Sequence, residues 1–249
     1  VIGYDINEKG CQISYYDDSM EEPDTMMASS NNYLIPLVLG YFKDRWVFWK
    51  EAKRLAVVGE DCTETDLYGK AKRREKVSLA GKTYDAVWLL AKYISLTLQD
   101  FENIQYLTFT TPETDVDMAK MLKGIGQHIG VDKEIINVQD YKESFCQYMI
   151  FQPKELWQYE SALFYCDEDR IKAYMLRRLR VDASHGMNSF VTVDEVANAQ
   201  RKELEALYPI MNKEKSPDES FKSMIENVFE KKVISSVYLT GEGFEKNWY

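Results

Sequence analysis

Apolar and polar positions along this chain follow two periods, and the changes of period mark its elements. Val1–Ile6 is mostly apolar with one carboxylate, Asp5. Asn7-Glu8-Lys9-Gly10 is turn chemistry, and Gly10 is free to take positive φ. Gln12–Tyr16 alternates and is rich in strand formers, so the chain opens on a β-hairpin. The polar, acidic stretch 17–32 reads as a loop. Tyr33–Phe42 predicts a strand, at an edge because of Pro36, that returns through Trp46–Trp49 and runs into a helix at Lys50–Ala56. Residues 61–82 keep neither period; their basic cluster, Lys70, Lys72, Arg73, Arg74 and Lys76, reads as a solvated face.

From Tyr84 to Phe101 the spacing is 3.6, through Val87, Leu90, Ala91, Ile94 and Leu98, which predicts a helix. Ile104–Thr110 is a strand, Val116–Ile129 a helix capped by Gly130, Glu134–Val138 a short strand and Tyr141–Phe151 a helix. This order predicts an α/β layer. A second strand, Glu160–Cys166, meets the acidic turn Asp167-Glu168-Asp169, and Arg170–Leu179 alternates as its partner. A strand–carboxylate–strand unit thus recurs after about 160 positions, as an internal duplication would have it. Thr192, with Glu195 three residues on, predicts a capped helix towards Leu207. Ser216-Pro217 opens another helix. Val233–Thr240 is a buried strand that enters a Gly-x-Gly turn at Gly241 and Gly243.

Composition narrows the function classes. The 249 residues are 45% apolar, enough for one or two cored domains and against disorder. A net charge of −10 argues against nucleic acid and anionic membrane surfaces. No apolar run reaches the roughly 20 residues of a membrane helix. Cys11, Cys62, Cys146 and Cys166 have no CxxC spacing, which argues against zinc and fits a reducing cytoplasm. Only His128 and His185 are present, little for a His-based metal site or catalytic triad.

The order of these parts resembles the superfamily of actin, the sugar kinases and the heat-shock-chaperone ATPase domain. GYDINEKGCQISYY looks like its first phosphate loop, and YLIPLVLGYFKDRWVFWKEAKRLA like a chaperone-type segment. The stretch from Leu107 to Tyr148 looks like its connecting segment, SALFYCDEDRIKAYML like its second phosphate loop, and VYLTGEGF like its adenosine motif. The resemblance implies two α/β lobes of ribonuclease-H-like topology, 1–150 and 151–249, with an insert over about 33–100 in the first. It implies ATP and Mg²⁺ in an interlobe cleft. Asp5 and Asp167 would hold the metal through water, and Asp140 would orient an attacking water. Asn7, Lys9, Gln12, Thr240, Gly241 and Gly243 would line the nucleotide. The departures are as informative. Glu8 brings negative charge into the first loop, and the second lacks glycine altogether. Two expectations follow: an actin-like protein, of a bacterial branch, holding Mg·ATP with weak or absent hydrolysis, or a non-enzymatic scaffold that binds a protein partner. A small-molecule kinase would need a catalytic aspartate and a sugar site, and neither is assignable.

Overall fold

The structure, a computed structural model, describes residues 1–17, 19, 21–30, 32–58, 62–167, 170–183, 186–200 and 217–245. The chain is α/β, with mixed sheets and helices, and divides into two units, Val1–Tyr141 and Lys142–Tyr249. The division falls one helix before the expected boundary at residue 150.

In the first unit, strands β1 (Ile2–Ile6) and β2 (Cys11–Asp17) form the opening hairpin. Strand β3 (Glu22–Thr25) adds antiparallel to β2, so part of the acidic stretch expected as loop is strand. The hydroxyls of Ser14 and Thr25 meet at 2.9 Å across that pair. An insert follows. Strands β4 (Leu39–Phe42) and β5 (Arg45–Phe48) turn through Lys43 and Asp44, both left-handed, into α1 (Trp49–Val58). The predicted strand from Tyr33 is therefore short. Ile35 makes only a bridge to Cys11, and the Pro36 carbonyl accepts the Tyr93 hydroxyl at 2.9 Å. The aperiodic stretch resolves into β6 (Thr63–Glu64), α2 (Leu67–Lys72), β7 (Lys76–Leu79) and β8 (Lys82–Asp85). Two of its basic side chains are engaged locally: Lys70 pairs with Glu64, and Arg73 with Asp66 and Glu75.

Helix α3 (Ala86–Thr97) starts where the Asp85 carboxylate accepts the N–H groups of Val87 and Trp88. Strand β9 (Leu107–Thr111) lies parallel to β1. Helix α4 (Val116–His128), capped by Asp115, crosses back and ends at left-handed Gly130, and β10 (Ile136–Asp140) then pairs parallel with β9. The sheet order is β10-β9-β1-β2-β3. Ile2, Tyr4 and Ile6 share one sheet face with Leu107 and Phe109, under Leu90 and Ile94 of α3 and Met121, Leu122 and Ile125 of α4. The opposite face, with Gly3, Asp5, Ser14, Thr108 and Thr110, is polar.

Helix α5 (Tyr141–Ile150) begins on the last residue of the first unit, and its Phe145 and Met149 enter the core of the second. There β11 (Glu160–Cys166) pairs antiparallel with β12 (Arg170–Ala183). The expected helix from Thr192 is instead strand β13 (Gly186–Gln200), antiparallel to β12, as far as the described residues reach. Long-range pairing overrides the capping signal: Val191 and Val193 pack beside Leu163 and Tyr174, while Val196 and Ala197 pack on the other face. Residues 201–207 of that expected helix lie outside the described residues. Helix α6 (Pro217–Phe229) follows as predicted, and β14 (Ile234–Thr240) returns parallel to β11. The order is β13-β12-β11-β14. Among the described residues no helix is long and apolar enough to cross a membrane.

The two sheets are wired alike. Each has an antiparallel three-strand meander, β1-β2-β3 or β11-β12-β13. Each then adds a strand parallel to the first of the three, β9 or β14. Pairing register aligns them residue by residue. Ile6 faces Cys11 and Cys166 faces Ile171, so Ile6 corresponds to Cys166.

Candidate functional site

The β1–β2 turn is closed from within. Asn7 donates its N–H to the Gly10 carbonyl at 3.0 Å. The Asn7 Oδ1 accepts the backbone N–H groups of Lys9 (2.9 Å) and Gly10 (3.3 Å). These are the donors that a phosphate oxygen would need. Gly10 is not left-handed, contrary to expectation. A Cβ there would stand 2.6 Å from the Ile35 carbonyl and 2.7 Å from the Leu34 side chain, so close packing requires the glycine.

The β11–β12 turn repeats this geometry. Asp167 donates its N–H to the Arg170 carbonyl at 3.0 Å, and its Oδ1 accepts the Arg170 N–H at 2.6 Å. Asp167 therefore corresponds to Asn7, not to Asp5. The residue of β11 that corresponds to Asp5 is Tyr165: Asp5 faces Gln12, and Tyr165 faces Lys172. The two proposed metal carboxylates thus hold different places in their hairpins, one on the strand and one in the turn.

Asp5 is half-buried, and loss of hydration pushes its carboxyl up to about 6. Two interactions oppose that rise: the Tyr141 hydroxyl, which donates to its oxygens at 3.0 and 3.3 Å, and the backbone at Ile6. Asp140 does not converge on this point. It faces Thr111, whereas Asp5 faces Thr110, so the two carboxylates leave opposite faces of the sheet. The β10 residue that shares Asp5's row is Gln139, across Thr110. Tyr141 and Gln139 were missed in the sequence. The available signal was the period of two, which runs on from Gln139 to Tyr141 past the strand end.

In the second unit Thr240 faces Tyr165, and the two glycines that follow pack on the hairpin. Gly241 is left-handed (φ 98°), and a Cβ there would collide with the Cys166 carbonyl. A Cβ on Gly243 would collide with the Cys166 Sγ and stand 2.7 Å from the Asp167 carbonyl. These glycines bring the chain against its own backbone.

The donors that the resemblance assigns to a Mg²⁺–triphosphate are engaged within the chain. The first turn's N–H groups are taken by Asn7, Asp5 has a tyrosine on both oxygens, and its counterpart in the second hairpin is Tyr165. Among the described residues no three His, Cys, Asp or Glu side chains gather to hold a metal ion.

Fold and hairpins define an α/β protein with two similarly wired sheets, each opening on a self-closed turn. The chain belongs to a family of unknown function (DUF5716), whose C-terminal part it matches over residues 22–249. No curated protein matches the chain at a significant level of similarity.

Proposed function

We propose that the chain is an actin-like scaffold, two lobes of ribonuclease-H-like wiring, that binds a protein partner and has lost nucleotide binding. The observation that carries this reading is the pair of self-closed hairpins with Tyr165 in the place that Asp5 holds in the first. A nucleotide-hydrolysing site of this superfamily would need a carboxylate on each hairpin strand and free N–H groups in each turn. Tyrosine at one strand and side-chain oxygens on both turns remove those requirements together. A cytoplasmic setting belongs to the proposal, supported by scattered cysteines without a framework spacing.

The test is calorimetric titration with Mg·ATP, paired with thermal unfolding. The scaffold reading predicts no saturable heat and no shift in Tm at millimolar nucleotide. One observation favours the second reading, Mg·ATP binding with weak or absent hydrolysis: Asp5 is a half-buried carboxylate at the carboxyl end of a parallel strand, with its carboxyl pushed up to about 6. Saturable heat in the same titration selects that reading.

A further inference from the structure

The shared wiring of the two sheets exposes a difference. In the first sheet β9 is not an edge, because β10 pairs along its outer side, and α4 connects the two. Its apolar residues Leu107 and Phe109 are fully buried, in one cluster with Met118, Met121, Leu122 and Ile125 of α4 and Ile136 of β10. Gly126 lets that helix close on Ile136, whose Cδ1 would stand 2.7 Å from a Cβ there.

In the second sheet β14 holds the place of β9, and no described strand pairs along its outer side. Register gives the equivalences. Leu107 and Phe109 face Ile2 and Tyr4, while Val237 and Leu239 face Ala162 and Phe164. Val237 and Leu239, on the face that α6 covers further in, are each 46% exposed, where their counterparts are at 0%. Nor is β14 built as a solvent edge. Ile234–Thr240 reads ISSVYLT, with no charge and no proline. The edge strand β3 carries Glu22, Pro23 and Asp24, and the edge strand β13 carries Asp194 and Glu195. Exposed edges are ordinarily protected by such residues, and an uncharged apolar edge is a template for another strand. Parallel strands are also ordinarily covered on both faces.

We propose that the outer side of β14 is a docking site for a helix–strand segment of a partner polypeptide. The strand pairs parallel to β14, as β10 does with β9, and the helix lays an apolar face over Val237 and Leu239, as α4 does over Leu107 and Phe109. The occupant's chemistry follows from the first unit. It is an amphipathic helix with apolar residues three and four apart, joined by a short link to an apolar-alternating strand. The surface lies wholly in the second unit and is independent of the hairpins, so it stands or falls apart from the scaffold reading.

The experiment is hydrogen exchange read by mass spectrometry on residues 1–249, with and without a synthetic peptide of residues 115–141, the segment that fills this place in the first unit. The expected result is fast exchange, in the protein alone, of the β14 amides that face away from β11, slowed at least tenfold by millimolar peptide. Val237→Lys with Leu239→Lys abolishes the slowing. So does a peptide carrying Met121→Lys and Leu122→Lys, which leaves the protein untouched should the protein variant fail to fold. Three results overturn the proposal: outward-facing β14 amides already slow without peptide at every dilution, slowing that grows with protein concentration alone, or no slowing by the unmodified peptide on a folded protein.

Discussion

Replacing Asp5 by asparagine should make the first unit more stable at neutral pH. The folded-state carboxyl titrates at about 6, against an ordinary value of 3.8, chiefly because burial removes its water. The folded state therefore binds the proton more tightly than the unfolded chain. Its stability is greatest below pH 4, falls as pH rises towards 6, and is flat above. The difference of about 2 pKa units corresponds to about 3 kcal/mol of lost stability at pH 7.5. Roughly half of that loss lies between pH 5 and pH 7.5. Asparagine has nearly the same shape, its Oδ1 still accepts the Tyr141 hydroxyl, and it carries no charge to dehydrate. The assay is urea unfolding of wild type and Asp5→Asn at pH 7.5 and 5.0, with exchange protection of β1 and β9 as the local readout. The variant should gain about 3 kcal/mol at pH 7.5 and about half as much at pH 5.0. A variant no more stable than wild type at pH 7.5, or a gain independent of pH, refutes the reasoning.

Three further outcomes follow. Tyr141→Phe removes the donor that holds the Asp5 carboxyl down, so the carboxyl should titrate above 6 in a carbon-13 NMR titration, and stability at pH 7.5 should drop by about 1.5 kcal/mol. Gly243→Ala puts a methyl group against the Cys166 sulfur and should cost about 2 kcal/mol in urea, with part of the loss recovered by Cys166→Ala. Asp85→Ala removes the cap of α3 and should cost about 1 kcal/mol in the same measurement.

Much of the fold was legible because its signals are local. The hairpins at Asn7 and Asp167, the period of helix α3, and Gly130 after α4 each carry their own turn, period or cap chemistry, whereas the cap Asp85 falls within the helix that the period predicts. What local pattern could not supply was pairing at a distance. Glu22–Thr25 is polar enough to read as loop and is strand only because β2 lies beside it. Thr192 and Glu195 have the spacing of a capped helix, yet Val191, Val193 and Val196 are claimed by β12 and the cores on its two faces. The candidate site shows the same limit. Asp167 attracts attention as the carboxylate after a strand, but only the register of both hairpins reveals that it matches Asn7 and that Tyr165 stands where a carboxylate would be needed. Asp140 and Gln139 are neighbours in sequence, and only the sheet shows which shares a row with Asp5.

The central claim, that the first hairpin is filled by its own side chains and holds no nucleotide, is tested most directly by a crystal of the protein soaked with millimolar Mg·ATP. The account predicts no triphosphate density at the β1–β2 turn, with the Asn7 Oδ1 still on the N–H groups of Lys9 and Gly10. Triphosphate density on those N–H groups, with the Asn7 side chain turned away, would contradict it.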